Sequence, residues 1–107
     1  MDSLRRLLWW MLAGSSGGRN RGRIISLLRS RPYNAHQLSQ ELGLDYKTVR
    51  HHLDVLTENQ LIMARGEGYG RMYFLAPNLD VNFSAFEEIW AQIGKSKISA
   101  KPDGESG

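Results

Sequence analysis

The sequence of 107 residues contains no cysteine and no uninterrupted apolar run of 18 residues. The lack of cysteine excludes disulfides, thiolate chemistry, a thiol redox switch and Cys-ligated zinc. The lack of a long apolar run predicts that nothing spans a membrane. The absence of disulfides is compatible with a cytoplasmic location, which we expect for this chain.

Motifs that mark enzymes are also missing. The glycine-rich segment GEGYG lies between two strand-like runs, whereas a nucleotide-binding loop lies between a strand and a helix. The sequence has no nucleophile elbow and no clustered carboxylate pair. Its histidines, at positions 36, 51 and 52, lack the i, i+4 spacing that would hold zinc. We therefore expect a binding protein that has no catalytic activity, metal or cofactor.

Basic charge is concentrated in the first three quarters of the chain. Residues 1–75 contain eleven Arg or Lys and six Asp or Glu, net +5, whereas residues 76–107 contain three and five, net −2. Ten of the fourteen cations are Arg, whose planar guanidinium suits phosphate and guanine. The uneven distribution favours a nucleic-acid partner for the first part of the chain.

Residues 35–62 have the pattern of two helices joined by a glycine turn and followed by a strand. Asn34 and Gln37 form a predicted capping box, Gly43 suits the left-handed conformation that ends a helix, and Asp45 caps the next helix. The inward stripe of the second helix is predicted from helical spacing to be Val49, Leu53 and Leu56. This layout is typical of a DNA-binding helix-turn-helix.

A hairpin is predicted directly after these helices, because two strand-like runs flank residues 66–70. With this hairpin, the segment TVRHHLDVLTENQLI resembles the winged-helix regulators of the ArsR type, over roughly residues 21–93. The resemblance implies a mainly α fold with a small β-hairpin wing (α+β), a winged helix-turn-helix. It also implies sequence-specific binding of double-stranded DNA by a homodimeric transcriptional regulator, with repression as the default outcome.

The candidate DNA-binding residues are polar side chains on the two helices and the wing. Those at the start of the second helix can reach base edges, those of the supporting helix can reach phosphate, and those of the wing can enter the minor groove or hold the backbone. The set is Gln37, Ser39, Tyr46, Lys47, Thr48, Arg50, His51, Arg65, Tyr69 and Arg71.

Other polar residues allow more than one interpretation. Arg19, Arg21 and Arg23 lie at the start of a helix that runs to about Ser30, either as a solvated end or as an edge that faces the DNA backbone. His52 falls near the apolar stripe, which predicts a partly buried ring tied to backbone or DNA. The resemblance implies that many relatives sense metals through Cys pairs or through carboxylate and His ligands on the last helix. Here that helix offers Glu87 and Glu88 but no His, so we expect no metal.

The chain is predicted to comprise an apolar helix at 1–13, a Gly/Ser linker at 14–20, the winged-helix domain at 21–93 and a disordered tail at 94–107. Ser84 and Glu87 form a second capping-box pattern, which predicts the start of the last helix. In ArsR-like proteins the first and last helices commonly form the dimer interface. The apolar residues assigned to it here are Leu4, Leu7, Leu8, Met11, Leu12, Phe86, Ile89, Trp90 and Ile93.

Alternatives remain for the first helix and for the function. The helix could pack on its own domain, or contact a membrane surface through Trp9 and Trp10, which the short apolar run disfavours. The same fold could serve as a protein-interaction module, which Lys47, Arg50 and the wing Arg residues disfavour. A sequence-indifferent, chromatin-like DNA-binding protein should carry more positive charge than +3.

Overall fold

The computed structural model describes residues 2–100, with side-chain detail to residue 94. Six helices and three short strands follow one another in this part of the chain. Their bounds are α1 Ser3–Ala13, α2 Gly18–Ser30, β1 Tyr33–Asn34, α3 Ala35–Leu42, α4 Tyr46–Glu58, β2 Ile62–Arg65, β3 Met72–Leu75, α5 Pro77–Val81 and α6 Phe83–Ala100. The mainly α fold with a small β wing is thus confirmed.

The turn between α3 and α4 has the predicted cap chemistry. Asn34 and Gln37 form a complete capping box at the start of α3, which satisfies backbone N–H groups that the helix itself leaves unpaired. Gly43 ends α3 with a φ of 68°, where glycine avoids the strain of a side chain. The Asp45 carboxylate accepts a hydrogen bond of 2.7 Å from the backbone N–H of Thr48 and so caps α4. These contacts fix the angle between the two helices.

The wing is an antiparallel hairpin that belongs to a three-stranded sheet. The strand order is β1-β3-β2, and β1 pairs with β3 through Tyr33 and Tyr73. The strands β2 and β3 pair in register from Ile62 with Leu75 to Arg65 with Met72. A single 3-10 turn at Gly68–Gly70 closes the wing tip in the described chain. The predicted hairpin is thus confirmed, and β1 adds a third strand to it.

One hydrophobic core joins all six helices and the sheet. The α4 stripe of Val49, Leu53 and Leu56 is fully buried in it, as its spacing predicted. Such burial contributes about 1.5–3 kcal/mol for each large side chain. Because α4 is held on this side by the core, its opposite side stays open to solvent.

The residues predicted for the dimer interface pack within the chain, since α1 lies along α6, and their role in a dimer stays a prediction. Leu8 is 0% exposed, Phe86 is 1% exposed, and Arg5 donates a hydrogen bond of 2.6 Å to the Glu88 carboxylate across the two helices. The apolar stripes of α1 and α6 pack against each other because this contact removes the apolar surface of both helices from water. Those buried inside the chain are Leu8, Met11, Leu12, Phe86, Ile89 and Ile93, whereas Leu4, Leu7 and Trp90 are half-buried against the same core.

Three predicted boundaries also change. The linker at 14–20 is shorter than predicted, because α2 already begins at Gly18. The last helix begins at Phe83, so Ser84 lies within its first turn and is not its cap. The tail predicted from residue 94 is helical as far as Ala100, and residues 101–107 lie outside the described part.

Candidate nucleic-acid interface

The solvent side of α4 carries the predicted donors on its first two turns. Lys47 and His51 are exposed, whereas Tyr46, Thr48 and Arg50 are half-buried at its flanks. This arrangement follows from the helical period, since the buried stripe begins at Val49 and turns these residues outward. The first two turns of α4 therefore present a cationic, donor-rich surface.

Arg50 is held in place by neighbours on its own helix. Its Nη1 donates a long hydrogen bond of 3.5 Å to the Tyr46 hydroxyl, and its Nη2 lies 3.9 Å from a carboxylate oxygen of Asp54. The hydrogen bond with Tyr46, with a smaller contribution from Asp54, raises the pKa of Arg50, which stays charged. Among the buried side-chain N and O atoms of the described residues, Arg50 Nε alone lacks a hydrogen-bond partner. Arg50 is thus a preorganised cation with donor capacity to spare.

The wing tip touches the start of α4. The rings of Tyr46 and Tyr69 lie 6.1 Å apart at an interplanar angle of 50°. Tyr69 is otherwise 82% exposed, so most of its ring faces solvent. Arg65, at the end of β2, and Arg71, directly before β3, are both exposed. The wing therefore adds an aromatic ring beside α4 and two exposed cations.

Two predicted residues of α3 have structural roles within the helix-turn-helix. The Gln37 side-chain carbonyl accepts the backbone N–H of Asn34 at 2.9 Å, as part of the capping box. The Ser39 hydroxyl donates to the backbone carbonyl of Leu44 at 2.5 Å and so holds the turn before α4. These bonds account for both residues without a ligand, and their contact with DNA stays a prediction.

Arg21 is the residue that the sequence interpretation placed wrongly. It is only 5% exposed, so it is neither a solvated helix end nor a free edge. Its Nε and Nη2 donate to the backbone carbonyl of Met11 at 3.1 and 3.0 Å, and Nη2 also donates to the Ser15 hydroxyl. Helical spacing could have found it, because Arg21 falls about 60° from Ile24, within the inward stripe of α2.

His52 is buried, as predicted, and its partner is the Arg21 guanidinium. Nη1 of Arg21 lies 3.4 Å from Nδ1 of His52, which is 6% exposed. Burial, the charge of Arg21 and the charge of His51 all lower the pKa of His52. The ring is therefore neutral near pH 7, and it connects α4 to the corner between α1 and α2.

A groove of about 630 Å³ opens beside these residues, between the α1–α2 corner and the first two turns of α4. Its charged or titratable lining consists of Arg21, Lys47, His51 and His52, and no carboxylate side chain lines it. We call this space the cationic groove. It lies beside the donors of α4, so an anion in it would meet residues that are also predicted to contact DNA.

The described residues contain no group of three His, Asp or Glu side chains placed to hold a metal ion. They also contain no helix that is long and apolar enough to cross a membrane. Polar donors on α4 and the wing are thus the main chemical feature of this surface.

A winged helix-turn-helix protein is the class that this fold and surface define. Residues 19–63 match the model of the bacterial regulatory protein family arsR, from α2 to the start of the wing. Over these residues, 45 of the 107 in the chain, the sequence is similar to that family.

Solved structures have the same fold. The Mycobacterium tuberculosis protein Rv0081 is 22% identical with a TM-score of 0.64, over 92% of this chain and 99% of that chain. Mb0332 from Mycobacterium bovis, described as a homodimeric winged helix-turn-helix DNA-binding domain and a possible ArsR-family regulator, is 19% identical with a TM-score of 0.63, over 82% of this chain and 79% of that chain.

A shorter domain is also similar. The Zalpha domain of Carassius auratus PKZ, solved in complex with Z-DNA, is 27% identical with a TM-score of 0.53, over 57% of this chain and 98% of that domain. No curated protein sequence matches the chain significantly.

Proposed function

We propose that the chain binds a roughly palindromic site in double-stranded DNA as a homodimer and regulates transcription, with repression by occlusion of a promoter as its effect. The observation that carries this proposal is the exposed cationic surface on the first two turns of α4, with Lys47 and His51 at its centre. In a winged helix these turns enter the major groove, where Lys and Arg suit guanine O6 and N7.

The wing supports the same proposal. Arg65, Tyr69 and Arg71 extend the surface beyond α4, where they can contact the backbone or the minor groove. Contact between Tyr46 and Tyr69 fixes the wing relative to α4, so both elements can dock on one duplex without rearrangement. The likeness to Mb0332, described as homodimeric, supports two copies on two half-sites about 34 Å apart.

The test is selection of bound fragments from the source genome by the purified protein at about 0.15 M salt, where counterions already weaken non-specific contacts. We expect a recovered motif with two-fold symmetry. The double variant Lys47→Gln/His51→Gln should lose the motif. The control Arg29→Gln removes one positive charge outside the helix-turn-helix and the wing, where Arg29 pairs with Asp80, and should recover the same motif.

Other outcomes would contradict the proposal. Binding without a motif would favour a chromatin-like role. No binding at all would favour a protein-interaction module, for which the exposed Trp9 and Trp10 offer a contact.

A further inference from the structure

The cationic groove contains a buried guanidinium without a counter-charge. Arg21 is 95% buried, yet its acceptors are the neutral Met11 carbonyl and Ser15 hydroxyl. Among the described residues, no Asp or Glu forms a salt bridge with it. A buried charge without an opposite charge is costly, and structures normally supply a partner.

Among the guanidinium nitrogens of Arg21, Nη1 has the weakest contact, and Arg21 lines the groove. Nε and Nη2 donate to Met11 and Ser15. Nη1 lies 3.4 Å from Nδ1 of His52, which is longer than a good hydrogen bond. Nη1 carries two N–H groups, so at least one donor remains for a ligand. Lys47 and His51 line the same groove from the side of α4.

The α1–α2 corner leaves room for this arrangement. A Cβ atom at Gly17 would lie 2.5 Å from Nη1 of Arg21 and 2.7 Å from the ring of His52. Asn20 also lines the groove, and its side-chain carbonyl accepts from Arg23 at 3.1 Å, which leaves its NH₂ group as a donor. The lining therefore offers guanidinium, ammonium, imidazole and amide donors and no carboxylate.

We propose that the cationic groove binds a phosphate group. Guanidinium and ammonium donors around a partly enclosed space are the recognition chemistry of tetrahedral oxyanions. The phosphate has two sources, a phosphodiester of bound DNA or a free phosphate. In either case the phosphate would lie beside Lys47 and His51 and would neutralise the charge of Arg21. It would also connect the α1–α2 corner to the polar donors of α4.

The first experiment requires no DNA and so does not depend on the proposed function. Inorganic phosphate is titrated into the full chain at constant ionic strength, and the ¹⁵N NMR signals of Arg21 Nε and of the Asn20 amide are followed. We expect saturable shifts with a dissociation constant in the millimolar range, about that of one well-paired phosphate group. Absence of saturable shifts up to about 50 mM phosphate would overturn the proposal.

Asn20→Asp is the matched test of the site, because it keeps the oxygen that accepts from Arg23 and adds a negative charge to the groove. We expect phosphate binding to weaken about tenfold or more. Asn78→Asp is its control. It adds the same charge on α5, outside the groove, and keeps the oxygen that accepts from Asn82. Equal phosphate affinity in both variants would overturn the proposal.

Lys47→Gln provides a second test if Asn20→Asp perturbs the fold, since Lys47 is exposed and its loss should not unfold the chain. We expect several-fold weaker phosphate binding. An unchanged affinity in Lys47→Gln would count against a site shared with α4.

Addition of the selected DNA separates the two sources. If phosphate and DNA exclude each other, a backbone phosphodiester occupies the groove. If phosphate still binds to the DNA complex, the ligand is a free phosphate. A chain that binds phosphate but no DNA would retain this site and lose the proposed function.

Discussion

Arg50 combines two roles at the scale of a single residue. It is a base-reading candidate, and the structure holds it against Tyr46 and Asp54. A side chain that is already ordered loses less entropy when it binds, which increases its contribution to affinity. Lys at this position would keep the charge and lose the planar fork, so we do not expect the two residues to be interchangeable.

The first prediction concerns this side chain. Arg50→Ala should weaken binding to the selected site by about 1–3 kcal/mol and relax base choice at one position. Tyr46→Phe should have a smaller effect, about 0.5–1.5 kcal/mol, because it removes one hydrogen-bond acceptor and keeps the ring against Tyr69. Fluorescence anisotropy on the site and its single-base variants measures both. Unchanged affinity and preference in Arg50→Ala would remove Arg50 from the base-reading set.

The second prediction concerns His52 and pH. Burial, followed by the charges of Arg21 and His51, lowers the pKa of His52 in the folded chain below the ordinary 6.5. Below pH 6.5 the unfolded chain therefore binds a proton that the folded chain does not. The free energy of unfolding should fall as pH decreases from 6.5 toward the folded pKa, by at most about 1.4 kcal/mol per pH unit. Above pH 6.5 the contribution of His52 to stability should be fully present.

Chemical denaturation at several pH values, on the wild type and on His52→Gln, measures this contribution. The difference in unfolding free energy between the two proteins should become smaller as the pH falls. A difference that stays constant between pH 7.5 and pH 5 would show that His52 does not titrate differently in the folded chain.

At the scale of elements, local signals predicted most of the helix-turn-helix. Caps and turns depend on residues three or four positions apart, so Asn34, Gln37, Gly43 and Asp45 could be assigned from the sequence. The paired wing strands followed from alternating runs around a glycine-rich tip. The docking of α1 on α6 could not be assigned in this way, because two apolar stripes far apart in the chain can pair within one molecule or between two.

Arg21 and the last helix show the same limit. An Arg within an apolar stripe indicates burial, but its partners, Met11, Ser15 and His52, come from two other parts of the chain. In α6 the polar composition after Gly94 suggested a tail, whereas helix propensity without a breaker allows the helix to continue to Ala100. The polar donors of α4 were identified correctly as exposed, because exposure follows from the helical period. Their ligands do not follow from it.

The third prediction concerns the packing of α2 against α6. A Cβ atom at Gly22 would collide with the Trp90 ring, so this glycine allows the two helices to approach closely. Gly22→Ala should lower the free energy of unfolding by about 1–3 kcal/mol through overpacking. Gly94→Ala is the matched control. No atom lies within 4 Å of its added Cβ, so Ala should stabilise α6 by about 0.5–1 kcal/mol. Denaturant unfolding measures both, and equal effects would refute the packing argument.

At the scale of the whole molecule, the surface proposed to bind DNA and the apolar outer face of α1 lie on different parts of the chain. The cations proposed to contact DNA lie on α4 and the wing. The outer face of α1 exposes Trp9 by 44% and Trp10 by 61%, next to stripes that are already buried within the chain. Two exposed indole rings favour association, because aromatic side chains contribute strongly to binding free energy when a partner buries them. This face can join two copies and leave both α4 helices free for DNA.

The fourth prediction follows from this division. The variant Trp9→Ala/Trp10→Ala should raise the dissociation constant of the dimer at least about tenfold and leave the monomer folded, since both rings are partly in solvent. Tyr69→Ala removes an exposed ring from the wing and should leave the dimer unchanged. Leu8→Ala should instead lower the free energy of unfolding by about 2–5 kcal/mol, because Leu8 is 0% exposed. Analytical ultracentrifugation with circular dichroism separates these effects, and an equally tight dimer in the double Trp variant would move the interface to another face of the molecule.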